Sequence, residues 1–523
     1  MQARFKLLRP QPMYLTMALI AAAVSAQSAV AGTLTQFTAG DIVISTVSTT
    51  TTVGALDTAA PIVLQQFALG AGGTSATAAG TLTLPQTSSG SNSAISGEYG
   101  SASEGILQLS GNGQYLTIMG YGVNAATFNN APLATYGTTA LGQTTSLTAA
   151  NQTGTAVATV SRVVALIGAN GGVNTSTALT GVYNQNNPRS VYTANGTSFY
   201  TSGQGVSGST NQGIYYTKLG ATTATPILNT SGDTRDVQLV NGVLTYSQDF
   251  SVKGGMSQGY VATLTNGSGS APTNANNLTK TVLTPSGNDA SSGSGLNLPK
   301  KDDNASYTTI PGSMPAIYLS STGANGNSVN AARDGNFVYA SPEQFFYANA
   351  TTLYVADSGA PKSGSANAAG LGDGGLQKYT LNTTTGLWTL DYTLSNGLNL
   401  VNNDLANAAT PTAAGVTGLF GLTGEVVGNQ VELFATSYGL NELSSSYLYE
   451  ISDTLSDTTN IQASNETFTV LDAAASGTSI RGVAFAPSGA SSLTPLPEPY
   501  TVYLFALGLA VLYLRRRNQG TRV

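Results

Sequence analysis

Apolar and polar positions alternate in short runs along most of this chain, and the runs end at Gly, Asn and Ser rather than at helix caps. Alternation with a period of two puts one row of side chains on each face of a strand, so the pattern predicts many short β-strands joined by tight turns. The segment GILQLSGNGQYLTIMGYG predicts a hairpin pairing Ile106 to Leu109 with Tyr115 to Gly120 across Gly111-Asn112-Gly113. RSVYTANGTSFYTSG predicts a second across Asn195-Gly196, and RDVQLVNGVLTYSQD a third across Asn241-Gly242. Asn-Gly favours the type I′ turn because both residues tolerate positive φ. No stretch between the termini combines a sustained 3.6-residue apolar period with caps at both ends, so helices are not expected there.

These hairpins share one form: a strand, an Asn-Gly-type turn, then a strand ending in Tyr and a small polar residue. Looser copies run from Gln344 to Gly359 and from Gly424 to Gly439, and a single strand, Ile480 to Ala486, follows them. The turns centre on Asn112, Asn195, Asn241, Asn349 and Gly428, at intervals of 46 to 108 residues. A β-solenoid adhesin would repeat regularly and at a shorter period. Irregular spacing suits propeller blades of about 40 to 50 residues with insertions and further blades between them. The fold class expected is therefore all-β, a β-propeller of about seven blades. GIYYTKLG (Gly213 to Gly220) and GLQKYTLN (Gly375 to Asn382) supply outer strands, and Ile480 to Ala486 pairs with Thr33 to Val47 to close the ring, which removes exposed edges. The segment from Thr352 to Leu394 resembles one blade of the broad family of bacterial β-propellers.

Residues 49–97, 126–152 and 265–301 are low-complexity Ala/Thr/Gly/Ser, with added Asn and Pro in the last. Their apolar content is too low for an independent core, which predicts partly ordered strands joined by long loops.

The termini carry a different pattern. Arg4, Lys6 and Arg9 precede an apolar stretch from Met13 to Val24, and Ala29-Val30-Ala31 offers a small-residue cleavage site before Gly32; residues 1–31 read as a signal peptide. Residues 494–523 hold Pro497-Glu498-Pro499, an apolar run from Tyr500 to Leu514, and Arg515, Arg516 and Arg517. The prolines deny a helix around Glu498, the run is about fifteen residues, short for the roughly twenty a span needs, and the arginines hold its end in the cytoplasm. This order resembles the PEP-CTERM sorting signal of Gram-negative bacteria. The resemblance covers only the tail, and implies that an exosortase recognises Pro497, Glu498 and Pro499 while Arg515 to Arg517 act as stop-transfer. It implies a sorting route, with transient residence in the inner membrane and delivery to the cell surface, outer envelope or extracellular matrix. Three segments follow: signal peptide 1–31, exported domain 32–493, sorting signal 494–523. A plain membrane anchor would need no tripeptide and would usually be longer.

Cysteine is absent, so no disulfide supports the exported domain. Seven of the 19 Lys+Arg and one of the 25 acids lie in the terminal signals, which leaves 12 against 24 and a net charge near −12. That balance opposes nucleic acid as a partner. Histidine is absent too, which excludes Ser-His-Asp and Cys-His catalysis and HExxH zinc sites; a GxxxxGK[ST] phosphate loop is also missing.

What chemistry remains rests on carboxylates, Tyr, Lys and Arg. Asp357 and Asp373, flanked by glycines, could supply oxygen ligands to Ca²⁺, although the spacing matches no EF-hand loop. A carboxylate pair drawn from Asp334, Glu343 and Asp357 would suit a glycosidase, and Trp388 with the tyrosines a carbohydrate-stacking platform. Tyr at strand ends more often fills the wedge between blades, and no spacing brings two acids together. The expectation is a non-enzymatic structural or binding component of an exopolysaccharide or biofilm envelope, the family context implied by the tail, with exopolysaccharide itself as a partner. The alternatives are a polysaccharide lyase or glycosidase on the same scaffold and a membrane-anchored periplasmic binding protein. Acids, Arg and Tyr clustered at one mouth of the channel would favour the enzyme; small hydroxyl residues lining it would favour the scaffold.

Overall fold

The structure, a computed structural model, describes residues 33–49, 56–148, 156–206, 209–229, 233–249, 260–283, 341–359, 374–398, 400, 415–439, 444–459 and 461–489. The expected cleavage-site residues Ala29, Ala31 and Gly32 and the whole tail lie outside these residues.

The chain folds into strands β1 Ile42–Ser48, β2 Thr58–Leu69, β3 Ala76–Thr83, β4 Ser96–Tyr99, β5 Gln108–Leu109, β6 Tyr115–Tyr121, β7 Arg162–Gly168 and β8 Val173–Leu179. There follow β9 Pro188–Tyr192, β10 Ser198–Gly203, β11 Gly213–Lys218, β12 Thr225–Leu228, β13 Asp233–Val240, β14 Val243–Asp249, β15 Tyr260–Thr265 and β16 Thr279–Val282. The last are β17 Pro342–Asn349, β18 Thr352–Asp357, β19 Gly375–Asn382, β20 Leu387–Leu394, β21 Val416–Val427, β22 Gln430–Gly439, β23 Tyr447–Thr454, β24 Thr469–Ala473 and β25 Thr478–Phe485.

From β9 onward, each successive set of four strands forms an antiparallel four-stranded sheet: β9–β12, β13–β16, β17–β20 and β21–β24. The first strands share a nine-stranded sheet with β25, in which β4 joins two four-stranded halves, β25-β1-β2-β3 and β5-β6-β7-β8. The first strands of consecutive units pack side by side, β5 on β9, β9 on β13, β13 on β17, β17 on β21, β21 on β25 and β25 on β5. This is an all-β, propeller-like ring. Its described residues form six such units, against the seven or so expected, and β13 packs directly on β17. Closure is as expected, with β25 pairing antiparallel to β1 through Ile42↔Phe485 and Ile44↔Val483.

The turns explain the register. In the β13–β14 hairpin Val240 opposes Val243 across Asn241 (φ 52°) and Gly242 (φ 75°), the two positive angles of a type I′ turn. Consecutive sheets are separated by apolar wedges. Val191, Phe199 and Tyr215 pack on Val164 and Leu166, and Tyr246 and Tyr260 pack on Tyr200 and Ile214. Each fully buried aliphatic or aromatic side chain is worth about 1.5–3 kcal/mol, so the wedges supply most of the driving force.

Ser and Thr on the second strands of the units are buried as well, among them Ser45, Thr117, Ser202, Ser247 and Thr436. From the second strand of one unit a hydroxyl donates to a carbonyl on or beside the first strand of the next. Thr117 donates to Val191 at 2.6 Å, Ser202 to Arg235 at 2.6 Å, Ser247 to Glu343 at 2.5 Å and Ser45 to Gly105 at 2.8 Å; Thr436 reaches Arg481 likewise. At the remaining junction the direction reverses, and Thr417 on β21 donates to Ser358 at 2.9 Å. Hydroxyls therefore clasp all six junctions of the described ring.

Two expectations change. Within 49–97, residues 58–69 form β2, a twelve-residue strand that places Ile62, Leu64 and Phe67 in the core despite the low-complexity composition. Residues 126–152 include most of α1 Ala125–Asn129 and all of α2 Leu133–Tyr136, two helices that alternation could not reveal. The first is capped where the Asn124 side chain accepts from Thr127 N–H at 2.8 Å.

Candidate functional site

Charged residues are few in this chain, and the ring gathers many of them near the N-terminal ends of its first strands. Arg189 lies near the start of β9, Asp233 and Arg235 at the start of β13, and Glu343 at the start of β17. Arg235 contacts Asp233 at 3.0 Å, Asp249 at 3.2 Å and the two oxygens of Glu343 at 3.0 and 3.2 Å, and Arg189 contacts Asp233 at 3.1 Å. Burial alone would lower the Arg235 pKa, but these carboxylates hold it well above the ordinary value. Glu343, wholly buried, is pushed up to about 7 by desolvation despite Arg235. Deeper along the same strands Asp236 accepts from Gln108 at 2.7 Å, Ser190 at 3.0 Å and Gln238 at 2.6 Å, linking β5, β9 and β13.

Over this mouth opens a polar cleft of about 310 Å³. Its walls are residues 100–103, 142–143 and 185–187, with Asp57, Glu98 and Tyr438 at their junctions. Arg162 on β7 organises two of the walls. Its guanidinium is fully buried 4.7 Å from the Tyr121 ring centre and donates to the carbonyls of Thr144 at 2.9 Å, Tyr183 at 3.0 Å and Asn186 at 3.1 Å. A buried cation that saturates loop carbonyls fixes those loops in one arrangement.

The third wall is set by a pair of carboxyls. Glu104 Oε1 accepts from Glu98 N–H at 2.5 Å, and its Oε2 from Tyr121 O–H at 2.8 Å. One amide nitrogen of Asn187 lies 3.3 Å from Glu98 Oε2, 3.3 Å from Glu104 Oε2 and 2.6 Å from Ser101 Oγ, so it ties the two carboxyls together. Gly142 N–H donates to Glu98 Oε1 at 3.0 Å, and a Cβ at Gly142 would stand 2.5 Å from Glu98 Oε2. A side chain at this position would have to displace the Glu98 carboxyl. Burial, reinforced by the Glu104 charge, raises Glu98 to about 8, while Glu104, also raised by burial, is eased by its hydrogen bonds from Glu98 N–H and Tyr121 and by Arg481 and Arg189. Burial and the neighbouring Glu104 thus bias Glu98 toward its protonated form.

The residues singled out by sequence fall elsewhere for the most part. Asp357 is buried at the end of β18, where Oδ1 accepts from Ser341 N–H at 3.0 Å and Gly359 N–H at 2.9 Å and Oδ2 from Gln377 at 2.9 Å. Its proposed companion Asp373 lies outside the described residues, as do Asp334, Pro497, Glu498, Pro499, Arg515, Arg516 and Arg517. Among the described residues no three candidate metal ligands come together, and no helix is long and apolar enough to cross a membrane. Glu343 belongs to the arginine network described above. Trp388 is not a surface platform: it is buried in a wedge with Phe345 and Val355, its ring edge-on to Tyr347 at 5.8 Å. Sequence reasoning passed over Glu98, Glu104, Arg162, Asn187 and Arg235. A signal was present in GEYGSASEG and DTRD, where charges cluster among small residues in a chain only 8% charged.

No family model and no curated protein matches this chain. Solved structures with a similar course include a chain of a nidogen/laminin complex, 9% identical, with a TM-score of 0.34, covering 86% of this chain and 98% of that one. A prolyl endopeptidase is 9% identical, with a TM-score of 0.29, over 80% of this chain and 41% of its own length. The AtxE2 isopeptidase with a bound astexin is 12% identical, with a TM-score of 0.19, over 71% and 51%.

Proposed function

We propose that this chain is an exported envelope or matrix protein, delivered by exosortase sorting, whose propeller-like body is a non-enzymatic structural or binding component of an exopolysaccharide or biofilm layer. The observation that carries the sorting half is the order Pro497-Glu498-Pro499, short apolar run, Arg515-Arg516-Arg517 behind an N-terminal signal. A run of about fifteen residues spans roughly 22 Å as a helix, suited to a temporary hold rather than permanent residence. The closed ring and the polar cleft support the binding half, since a rigid ring with loops gathered at one mouth is a scaffold for recognition.

Glu498→Ala tests the sorting. The variant accumulates in the inner membrane as a precursor that keeps the arginine cluster, whereas the parent loses that cluster on processing; equal release of the two chains would sink the proposal.

Acids, arginines and tyrosines gathered at one mouth favour a second reading, an extracellular polysaccharide-active enzyme on the same scaffold. Release of reducing ends or unsaturated uronates from a polysaccharide incubated with the protein separates the two readings. The binding reading predicts none.

A further inference from the structure

We infer that the cleft between Glu98, Asn187 and Tyr438 binds a short, uncharged, polyhydroxylated ligand, such as the end or a single unit of a neutral saccharide chain. This deepens the binding half of the proposed function and is independent of the sorting tail.

The chemistry of the walls selects the ligand class. Ser101, Ser103, Gln143, Gln185 and Asn186 contribute hydroxyls and amides, groups that both donate and accept. Little apolar surface lines the cleft, so a peptide or lipid that relies on burying apolar area finds nothing to pack against. Among the described residues lining it there is no lysine or arginine, and Asp57 lines it, which disfavours an anion such as a uronate or phosphate. Among the described residues no group of three or more acids that could hold a metal ion forms here. A hydroxyl-rich neutral molecule matches every wall, and the volume of about 310 Å³ lies at the small end of ligand clefts, so a short unit fits rather than a long segment.

The walls are also preorganised, which is what separates a site from a gap. Asn187 is held by Ser101 and both carboxyls, Glu98 by Gly142 N–H, and the 142–144 and 183–186 loops by the buried Arg162. Little ordering remains to be done on binding. Gln143 and Gln185 project from these loops and are exposed, so they can be changed without disturbing the core.

The full chain in mild detergent is titrated calorimetrically with maltohexaose, cellohexaose and mannohexaose, and with hexaguluronate as an acidic probe. At least one neutral probe binds, hexaguluronate binds more weakly than that probe, and the double variant Gln143→Ala/Gln185→Ala loses at least tenfold in affinity at an unchanged melting temperature. Three results overturn the inference: no heat with any neutral probe, tighter binding of hexaguluronate, or full affinity in the double variant. Glu498→Ala sorting is read separately, so either proposal can fail while the other stands.

Discussion

Ser202 Oγ donates a 2.6 Å hydrogen bond to the carbonyl of Arg235, tying the second strand of one sheet to the first strand of the next. Both residues are buried, so neither group has water as an alternative. Ser202→Ala leaves a buried carbonyl without this donor and is expected to cost about 1–3 kcal/mol in urea unfolding, with an unchanged m-value. Ser247→Ala, which breaks the next clasp, should cost a similar amount.

The Lys378 ammonium lies 2.7 Å from Asp453 with both side chains wholly buried, between the β17–β20 and β21–β24 sheets. The Tyr354 and Tyr392 hydroxyls donate to the same carboxylate, and Lys378 also donates to the Thr454 carbonyl at 2.8 Å. Lys378→Met leaves a charge buried and should cost about 3–5 kcal/mol, as should Asp453→Leu. The double variant should recover most of that loss, because desolvation of the pair offsets much of its attraction. Additive losses in a double-mutant cycle would contradict the coupling.

Glu98, Glu343 and Glu466 have folded pKa values raised to about 8, 7 and 9, above the ordinary glutamate value, chiefly by burial. A carboxyl raised on folding holds its proton more tightly in the native state. Its contribution to stability is full below the unfolded pKa and is lost as pH rises through the folded one. The melting temperature should therefore fall steadily between pH 5 and pH 9, and Glu98→Gln, which cannot ionise, should lessen that fall. A melting temperature that rises over this window would contradict the assignment.

Gly242 at φ 75° occupies the second turn position between β13 and β14. Gly242→Val forces a β-branched residue into the left-handed region and should cost about 1–3 kcal/mol, whereas Asn241→Gly should change little. Thermal unfolding of the two variants checks the contrast.

The hairpins were legible because each depends on neighbours in sequence. Asn241-Gly242 dictates its own turn, and the Tyr-ending strands on either side follow from alternation. Closure of β25 on β1 was legible as well, since an orphan strand at one end needs a partner at the other. The count of sheets was not, because an insertion and a missing blade look the same as a gap between turns. Trp388 illustrates another limit: the same aromatic serves a platform or a wedge, and only its neighbours Phe345 and Tyr347 decide which. The cleft was hidden for the same reason, since Glu98 and Asn187 stand 89 positions apart and meet only through the ring.

By itself the sequence determined the strand content, the turn chemistry, the exclusion of histidine- and cysteine-based catalysis, and the order of prolines, apolar run and arginines at the tail. Those depend on residue identity and short-range spacing. Tertiary structure alone decided that serine and threonine clasp one sheet to the next, that Arg235 and Glu343 share a buried network, and that Glu98, Glu104 and Asn187 converge on one cleft. The reason is physical: desolvation and hydrogen bonding act between groups that closure of the ring brings within about 3 Å, and that proximity has no counterpart along the chain.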